Sequence, residues 1–348
     1  MIEKSIERPL LIGNFTNGGG EMAWAWWMRH HSKLAIVGSA ELSPRKKFVK
    51  KVANCIHSRD QDAVYWITTN KEKLGVLNVD NSINWVEEFS DPPEEYTDRE
   101  AFIKTRQFFS TTYFNLLAKS MGIKRSELMP LSSYKRSLEG PLMGYKRVVD
   151  SQPDEDKYKE VLMKHMNHLS EVPWFKTAEG KKFFIQDSNN LYITTMSLIS
   201  AIWSFWSLTC KADAPQQMIL IVELPKELLQ YDGESEIHSI IVEALEILSR
   251  VSSLTTTSLI ISTEMLYPVM MQELDIRFKL ILQTRDSDID LSSTENREMI
   301  SPLLNEQWDA GNQNTGYWID SYTNENIVVT LKDKDIDFWD DYLASNIE

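Results

Sequence analysis

The sequence predicts an α/β fold with a mostly parallel central sheet, and three observations carry this prediction. Short apolar runs of the kind that form buried strands recur along the chain, and segments with helical periodicity separate several of them. The 348 residues suffice for one large domain or two ordinary ones, and an apolar fraction of 42% is typical of a folded globular protein. Strands that alternate with helices favour parallel pairing, because each helix carries the chain back across the sheet.

The first predicted unit is a strand, a helix and a second strand. Residues 33–38 (KLAIVG) form an apolar run closed by Gly, which is typical of a buried strand. Lys47–Ile56 has apolar residues at helical spacing, and Ala63–Thr68 (AVYWIT) is another apolar run. We therefore expect a β-α-β unit with parallel strands.

The middle of the chain has a different character. Two charged segments with helical periodicity, Tyr96–Met121 and Asp154–Leu169, are separated by Pro and Gly residues, and no convincing strand occurs among them. We therefore predict three parts: 1–91 as the first part of the α/β domain, 92–181 as a helical insertion, and 182–348 as the second part with an acidic C-terminal tail.

Strand signals return in the second half. The sequence predicts four strands separated by one helix and followed by a C-terminal hairpin. The strands are Lys182–Gln186, Met218–Val222, Ser258–Ser262 and Phe278–Leu282, the helix is Ile237–Val251, and the hairpin comprises Gly316–Asp320 and Asn326–Leu331.

The most apolar stretch, Leu191–Leu208, contains no charged residue and approaches the length needed to span a bilayer. Six Ser and Thr residues interrupt it. These interruptions and its marginal length favour a buried core helix over a membrane span, which stays as the alternative. We therefore expect no transmembrane segment and a cytoplasmic protein, which could be recruited to a membrane complex.

Charge and cysteine content exclude several classes of function. The 37 Lys and Arg against 51 Asp and Glu give a net charge of −14, and a field of that sign disfavours direct DNA binding. The only cysteines are Cys55 and Cys210, which fits a reducing compartment. His165 and His168 lie three residues apart on a predicted helix, but no further ligand completes a cluster, so we expect no metal site.

The loop after the first predicted strand has the position of a phosphate-binding loop, whose pattern is G-x-x-x-x-G-K-[ST]. Aligned from Gly38, the second Gly is Ser43, the Lys is Pro44, and the Ser or Thr that binds magnesium is Arg45. Each change opposes phosphate or magnesium binding, since Pro offers neither an ammonium nor an N–H. Lys46 and Lys47 lie at the helix start, where basic groups could still attract an anion.

Two further predicted strands end in altered polar residues. Met218–Val222 is followed by Glu223 and Leu224, where a P-loop ATPase carries Asp for the magnesium shell and Glu to polarise the attacking water. Ser258–Ser262 is followed by Thr263 and Glu264, and the carboxylate of Glu264 would repel a γ-phosphate. Leu224 and Glu264 are therefore the degenerate catalytic positions.

The order of these segments resembles the HerA/FtsK superfamily of ring-forming P-loop ATPases, and most of all the cytoplasmic domain of type IV secretion coupling proteins of the VirD4/TraD kind. FtsK-like ATPases of type VII secretion are a similar group. The matched segments are 33–47 for Walker A, Thr68–Glu72 for the end of the second strand, Lys182–Ser188 for the strand that usually ends in Asp-Leu-Ser, Met218–Leu224 for Walker B, and Ser258–Glu264 for the sensor strand.

The resemblance implies a RecA-like P-loop NTPase fold with a mostly parallel central sheet, a helical insertion (an all-α domain) and a C-terminal β-hairpin. It further implies hexameric motors in which a neighbouring subunit supplies an arginine finger, for which Arg250 and Arg277 are the candidates. The strands 33–37 and 218–222 are expected to be parallel neighbours around the loop 38–47.

Three functional hypotheses follow. The first is a catalytically degenerate ATPase-like protein that acts as an interaction or scaffold module in a secretion, conjugation or DNA-translocation complex. Its partners would be proteins, such as an active ATPase homologue or the machinery itself, in a homo- or hetero-oligomer. The second is an active or nucleotide-gated motor that uses Lys46 or Lys47, and the third is an unrelated α/β binding protein.

Under the first hypothesis we expect no cofactor, with ATP and Mg²⁺ as the alternative. The nucleotide-binding remnant would comprise Gly38, Ser43, Arg45, Lys46, Lys47 and Glu223.

Overall fold

The computed structural model describes the residues on which all structural statements here rest. They are 8–16, 20–26, 32–39, 44–60, 63–69, 82–84, 98–124, 171–177, 180–186, 188–210, 217–228, 236–250, 256–265, 268–283, 297–311, 314–323, 325–332 and 336–337. The predicted helix Asp154–Leu169, the residues Ser43, His165 and His168, and the segment 70–72 lie outside them.

These ranges contain twelve strands. They are β1 (Leu10–Phe15), β2 (Glu21–Trp24), β3 (Lys33–Val37), β4 (Val64–Thr68), β5 (Ser82–Asn84), β6 (Glu171–Thr177), β7 (Gly180–Phe184), β8 (Gln217–Leu224), β9 (Thr256–Thr263), β10 (Phe278–Ile281), β11 (Thr315–Asp320) and β12 (Glu325–Leu331).

Six helices accompany the strands. They are α1 (Pro44–Arg59), α2 (Arg99–Ser120), α3 (Leu191–Thr209), α4 (Glu236–Arg250), α5 (Pro268–Glu273) and α6 (Arg297–Asp309), and a short 3₁₀ turn covers Lys226–Leu228.

The strands form one sheet in the order β2-β1-β12-β11-β10-β3-β9-β8-β4-β7-β6-β5. Its six central strands, from β10 to β7, are parallel, and antiparallel strands extend it on both sides. On one side β1 pairs with β12, so that Gly13 lies opposite Leu331. The predicted parallel centre and C-terminal hairpin are confirmed.

One expected neighbour relation is wrong. β3 and β8 are parallel, as predicted, but β9 lies between them and pairs with both. β9 follows β8 in the chain, with helix α4 between the two strands. It pairs with β8 on one side and with β3 on the other. The ends of β3, β9 and β8 therefore meet at one edge of the sheet in that order.

The region predicted to be helical also contains a strand. β6 lies at Glu171–Thr177 and pairs antiparallel with β7, so that Thr177 lies opposite Gly180. Gly180 has φ +118°, and a Cβ there would lie 2.5 Å from the carbonyl oxygen of Val64. Position 180 therefore requires Gly, and the pair of strands was not revealed by the sequence pattern.

Helix α2 begins at Arg99, inside the predicted segment Tyr96–Met121, with the Asp98 carboxylate accepting a hydrogen bond from the Ala101 N–H at 2.9 Å. Its apolar face packs on α3: the rings of Phe102 and Trp206 are 5.0 Å apart, and those of Phe109 and Trp203 are 5.3 Å apart. The start of the predicted insertion thus belongs to the main core, while the division of the chain into three parts stays a prediction.

Helix α3 is the core helix that the sequence favoured. It passes a length and hydropathy test for a membrane span, and 72% of the tested window is buried inside the protein. Its hydroxyls bond to carbonyls one turn earlier: Ser200 donates to Met196 and Ser204 donates to Ser200, at 2.8 and 2.9 Å. These two hydroxyls are thereby satisfied within the helix itself.

The two faces of the sheet carry separate apolar layers. Helices α2, α3 and α4 cover one face, and their side chains form the larger cluster with the strands. Helix α1 lies on the other face, where Phe48, Val49, Val52 and Ile56 are buried against the strands. The first turn of α1 is thereby fixed above the carboxyl ends of the central strands.

Candidate functional site

The candidate site lies where the central parallel strands end and α1 begins. Helix α1 starts at Pro44, three residues earlier than the apolar spacing predicted. The backbone N–H of Gly38 donates to the Thr263 carbonyl at 3.1 Å, and the N–H of Ser39 donates to the Gln283 carbonyl at 3.1 Å. The chain leaving β3 is therefore tied to the ends of β9 and β10.

Gly38 is needed for the close approach of α1 to this edge. A Cβ at position 38 would lie 3.2 Å from the Cβ of Arg45 and 3.3 Å from the Cβ of Leu282. Such distances are tighter than ordinary van der Waals contact. The glycine thus places the first turn of α1, including Arg45, directly against the strand ends.

Arg45 is the central residue of the site. Only 5% of the residue is exposed, and its side chain points from α1 towards the end of β9. The Nη1 atom donates to the Ser262 hydroxyl at 3.4 Å, and Nη2 lies 3.9 Å from a carboxylate oxygen of Glu264. Among the residues that the structure describes, no hydrogen-bond partner meets its buried Nε atom.

Two nearby carboxylates favour the charged form of Arg45, which burial disfavours. Burial lowers the pKa of Arg45 below its ordinary value, and the negative charges of Glu223 and Glu264 oppose this effect. An arginine keeps its proton under such conditions, because its unperturbed pKa is above 12. The site therefore contains one permanent cation between two carboxylates.

Glu223 and Leu224 end strand β8 with opposite characters. The Glu223 carboxylate accepts a short hydrogen bond from the hydroxyl of Thr68, which is buried at the end of β4. Leu224 is 2% exposed and packs in the larger apolar cluster. Glu223 thus faces the polar edge, whereas the next residue offers no group that could act on water.

The remaining predicted residues take different places. Lys46 and Lys47 are exposed on the outer side of the first turn of α1. The structure brings Gly38, Arg45, Glu223 and Glu264 together at the strand ends.

The sequence analysis missed the contact of Arg45 with Ser262. The signal for it was present, because Ser262 is a polar residue near the end of an otherwise apolar run, and the helix start follows the neighbouring strand end.

Arg277, one of the two candidate arginine fingers, is not part of this edge. Arg277 lies just before β10, at the opposite end of the sheet, where it donates two hydrogen bonds to Asp320 at 2.9 and 2.6 Å. The side chain of Arg250 lies outside the described residues. Within the described part of the chain, no group of three or more His, Cys, Asp or Glu residues could hold a metal ion.

A cavity of about 370 Å³ lies near the same edge, beside the start of α3. It is lined by the turn before α3 (Ser188, Asn189), the first turn of α3 (Leu191, Thr194) and the segment after β8 (Pro225, Glu227). The Thr194 hydroxyl bonds with the backbone of Ser188 at both its N–H and its carbonyl. The buried Thr194 hydroxyl in this cavity therefore holds the turn before α3 against the first turn of the helix.

Comparisons with known proteins were made by sequence and by structure. No protein-family model and no curated protein matches the chain. Over 95% of its length, however, the chain superposes on 98% of the structure of VirB4 from Thermoanaerobacter pseudethanolicus, with a TM-score of 0.59 and 15% identity. The chain has the RecA-like fold of the P-loop ATPases.

The other similar structures include two with TM-scores below 0.5. The bacterial conjugative coupling protein TrwBΔN70 matches with a TM-score of 0.41 and 13% identity, over 97% of this chain and 91% of that one. The cytoplasmic domain of the type VII secretion ATPase EccC from Thermomonospora curvata matches with a TM-score of 0.38 and 9% identity, over 94% of this chain and 29% of that one.

With the P-loop ATPase fold established, the fit of ATP and Mg²⁺ can be tested on the residues present. In such a loop a Ser or Thr hydroxyl and a strand-end carboxylate hold the magnesium, and a Lys reaches the terminal phosphates. Here Pro44 stands at the Lys position, and the guanidinium of Arg45 stands at the hydroxyl position. These residues do not fit ATP and Mg²⁺. The Arg45 guanidinium would repel the metal ion, and the carboxylates of Glu223 and Glu264 would repel the phosphates.

Proposed function

We propose that the chain is a catalytically degenerate ATPase-like protein that serves as an interaction or scaffold module. The observation that carries this proposal is the position of Arg45. Its buried guanidinium lies at the strand ends, in contact with Ser262 and Glu264, where an ATPase of this fold would hold magnesium. A site that already contains its own cation has no place for the metal that phosphoryl transfer requires.

The charge balance of the site supports the same proposal. Arg45 supplies one positive charge, whereas Glu223 and Glu264 supply two negative ones, so these three groups sum to −1. A γ-phosphate placed beside them would meet net repulsion. Leu224 adds a second loss, because a buried aliphatic side chain cannot polarise an attacking water.

The setting of this role is inferred from the fold match. The VirB4 structure covers nearly the whole chain, and the order of the sequence segments resembles that of type IV secretion coupling proteins. We place the protein in the cytoplasm, recruited to a secretion, conjugation or DNA-translocation complex. Its partners there would be an active ATPase homologue or the machinery itself.

Nucleotide binding and turnover test the loss of activity. We expect no thermal shift with millimolar ATP and Mg²⁺, and no steady-state hydrolysis above a blank. Lys46→Ala and Lys47→Ala are the matched variants, because these exposed lysines are the groups that could replace the missing one. Turnover by the wild-type chain that disappears in either variant would show an active motor and refute the proposal.

A rebuilt loop provides the positive control for this assay. Ser43→Gly, Pro44→Lys and Arg45→Ser together restore the pattern G-x-x-x-x-G-K-S from Gly38. We expect this triple variant to gain an ATP-dependent thermal shift that the wild-type chain lacks. A wild-type shift equal to that of the rebuilt chain would contradict the proposed degeneracy.

A genetic test addresses the scaffold role. Deleting the gene is expected to stop transfer or secretion by the system to which it belongs, and a Lys46→Ala/Lys47→Ala gene should restore it. Restoration is expected because a scaffold needs the fold and its surface, but no phosphate contact. Loss of function in the double variant, with normal protein levels, would count against a role without nucleotide.

A further inference from the structure

Oxygen-bearing side chains from two neighbouring strand ends converge on the Arg45 guanidinium. Ser262, near the end of β9, accepts a hydrogen bond from Nη1, and Glu264, just past that strand, lies 3.9 Å from Nη2. The negative charge of Glu223 on β8 also attracts the Arg45 guanidinium. One hydroxyl and two carboxylates thus act on one cation.

The contacts of Arg45 are loose for an arginine. A guanidinium paired with a carboxylate typically forms two parallel bonds of about 2.7–2.9 Å. Here the contacts are 3.4 and 3.9 Å, and the buried Nε has no described partner. The oxygens therefore are not arranged as a fork for a guanidinium, and their common requirement is a positive charge.

We propose that Arg45 is a built-in counter-cation that closes a latent divalent-cation site formed by Ser262, Glu264 and Glu223. The inference rests on the proposed function, since it states what replaced the metal of the degenerate site. Arg45 stands at the position of the magnesium-binding hydroxyl, so the cation is now part of the polypeptide. The strand ends and α1 are consequently held together without nucleotide or metal.

The chemistry of the uncovered site follows from its donor set. Carboxylate and hydroxyl oxygens suit hard divalent cations such as Mg²⁺ and Mn²⁺, with water completing the coordination. Two carboxylates without a full protein cage predict weak binding. Removal of the guanidinium should nevertheless create a site, because it takes away the cation that attracts the two carboxylates.

Replacement of Arg45 by Ser tests the proposal in the absence of nucleotide. The readout is the loss of the free Mn²⁺ EPR signal during titration of the full chain, with folding verified by far-UV circular dichroism. We expect Arg45→Ser to bind one Mn²⁺ at least about tenfold more tightly than the wild-type chain. The thermal midpoint of the variant should also rise with Mn²⁺, because a metal that binds only the folded state stabilises it.

Matched variants separate the latent site from other Mn²⁺ binding. Lys46→Ser removes a neighbouring exposed cation but keeps Arg45, and Arg45→Lys keeps a positive charge at the site, so neither should gain Mn²⁺ binding. Adding Glu264→Gln or Glu223→Gln to Arg45→Ser should abolish the gain. Arg45→Gln is a second neutral variant with the same expected gain, in case Arg45→Ser does not fold.

The outcomes decide between the proposals. Wild-type binding as tight as that of Arg45→Ser would overturn the counter-cation role, and so would a folded neutral variant without added Mn²⁺ binding. Because no nucleotide is present, such a failure leaves the proposed loss of ATP turnover untouched. ATP hydrolysis by the wild-type chain would instead refute the proposed function without changing the Mn²⁺ result.

Discussion

Two arginines at opposite ends of the central sheet show how differently the same side chain can be held. Arg277 donates two hydrogen bonds to Asp320 at 2.9 and 2.6 Å and lies between the rings of Phe278 and Tyr322, 4.8 and 5.0 Å from their centres. Arg45 is more deeply buried, yet its contacts are 3.4 and 3.9 Å long. Burial and quality of pairing therefore do not go together in this molecule.

On the proposed function, the difference separates a structural arginine from one that occupies a former metal and phosphate site. The Arg277 guanidinium bonds to both carboxylate oxygens of Asp320 and lies over the two rings. Such contacts are expected of an ion pair that stabilises a turn. The strand ends around Arg45 belong to a fold that uses them for metal and phosphate. The guanidinium of Arg45 balances negative charge at these strand ends, but its N–H groups do not form close hydrogen bonds with their oxygens.

Replacing Arg45 by Ala should have the largest effect on stability. The variant leaves Glu264 and Glu223 without their cation in a buried region, and we expect a loss of about 2–4 kcal/mol in the free energy of unfolding. Urea unfolding followed by circular dichroism measures this loss. Lys46→Ala, one residue further along the same helix but exposed, should change it by less than about 0.5 kcal/mol; equal effects would mean that Arg45 is no better held than a surface lysine.

Replacing Asp320 by Asn should cost about 1–2 kcal/mol at neutral pH, since a charge-assisted pair becomes a neutral one. Burial raises the pKa of Asp320, but hydrogen bonds from Arg277 and from the Tyr322 backbone outweigh it and hold that pKa below its ordinary value. A lowered pKa in the folded state contributes stability above the unfolded value of about 4, and this stability is lost as the pH falls through the folded value.

The pH dependence gives the measurement for this carboxylate. The difference in unfolding free energy between the wild-type chain and Asp320→Asn should be constant from pH 5 to 7 and should shrink below about pH 4. A difference for Asp320→Asn that does not depend on pH would contradict the assigned ion pair.

Replacing Tyr322 by Ala should have the smallest effect. Its ring is 53% exposed and stacks on Arg277, so the loss of this cation–π contact should cost about 0.5–1 kcal/mol. Tyr322→Phe keeps the ring and removes only the hydroxyl that donates to Asp275, and it should stay within a few tenths of a kcal/mol of the wild-type value. If both variants lose the same stability in thermal unfolding, the hydroxyl, and not the ring, supports Arg277.

Local patterns were sufficient to predict most of the central elements. The apolar runs of β3, β4, β8 and β9 are buried on both faces, and a continuous apolar run is the signal that such strands leave in a sequence. Helix α3 was recognised as a core helix for a similar reason. The order of the strands was only partly predictable, because the insertion of β9 beside β3 depends on where α4 carries the chain.

The site shows the same limit at the level of single residues. That position 45 had lost its hydroxyl could be read from the loop pattern, but that its guanidinium would reach Ser262 required the close approach at Gly38. β6 was not predicted because its seven residues include Pro173 and follow a charged helical pattern. Its partner β7 was predicted as Lys182–Gln186, but not its start at Gly180.

The pairing of β1 with β12 joins Gly13 to Leu331, residues 331 − 13 = 318 positions apart. During synthesis the N-terminal hairpin leaves the ribosome long before its partner exists, so β1 must wait with an open hydrogen-bonding edge. Contacts of such long sequence separation slow folding and expose strands to aggregation. Ordering of this part of the sheet should therefore be the last step of biogenesis, and chains truncated before β12 should be the ones that chaperones retain.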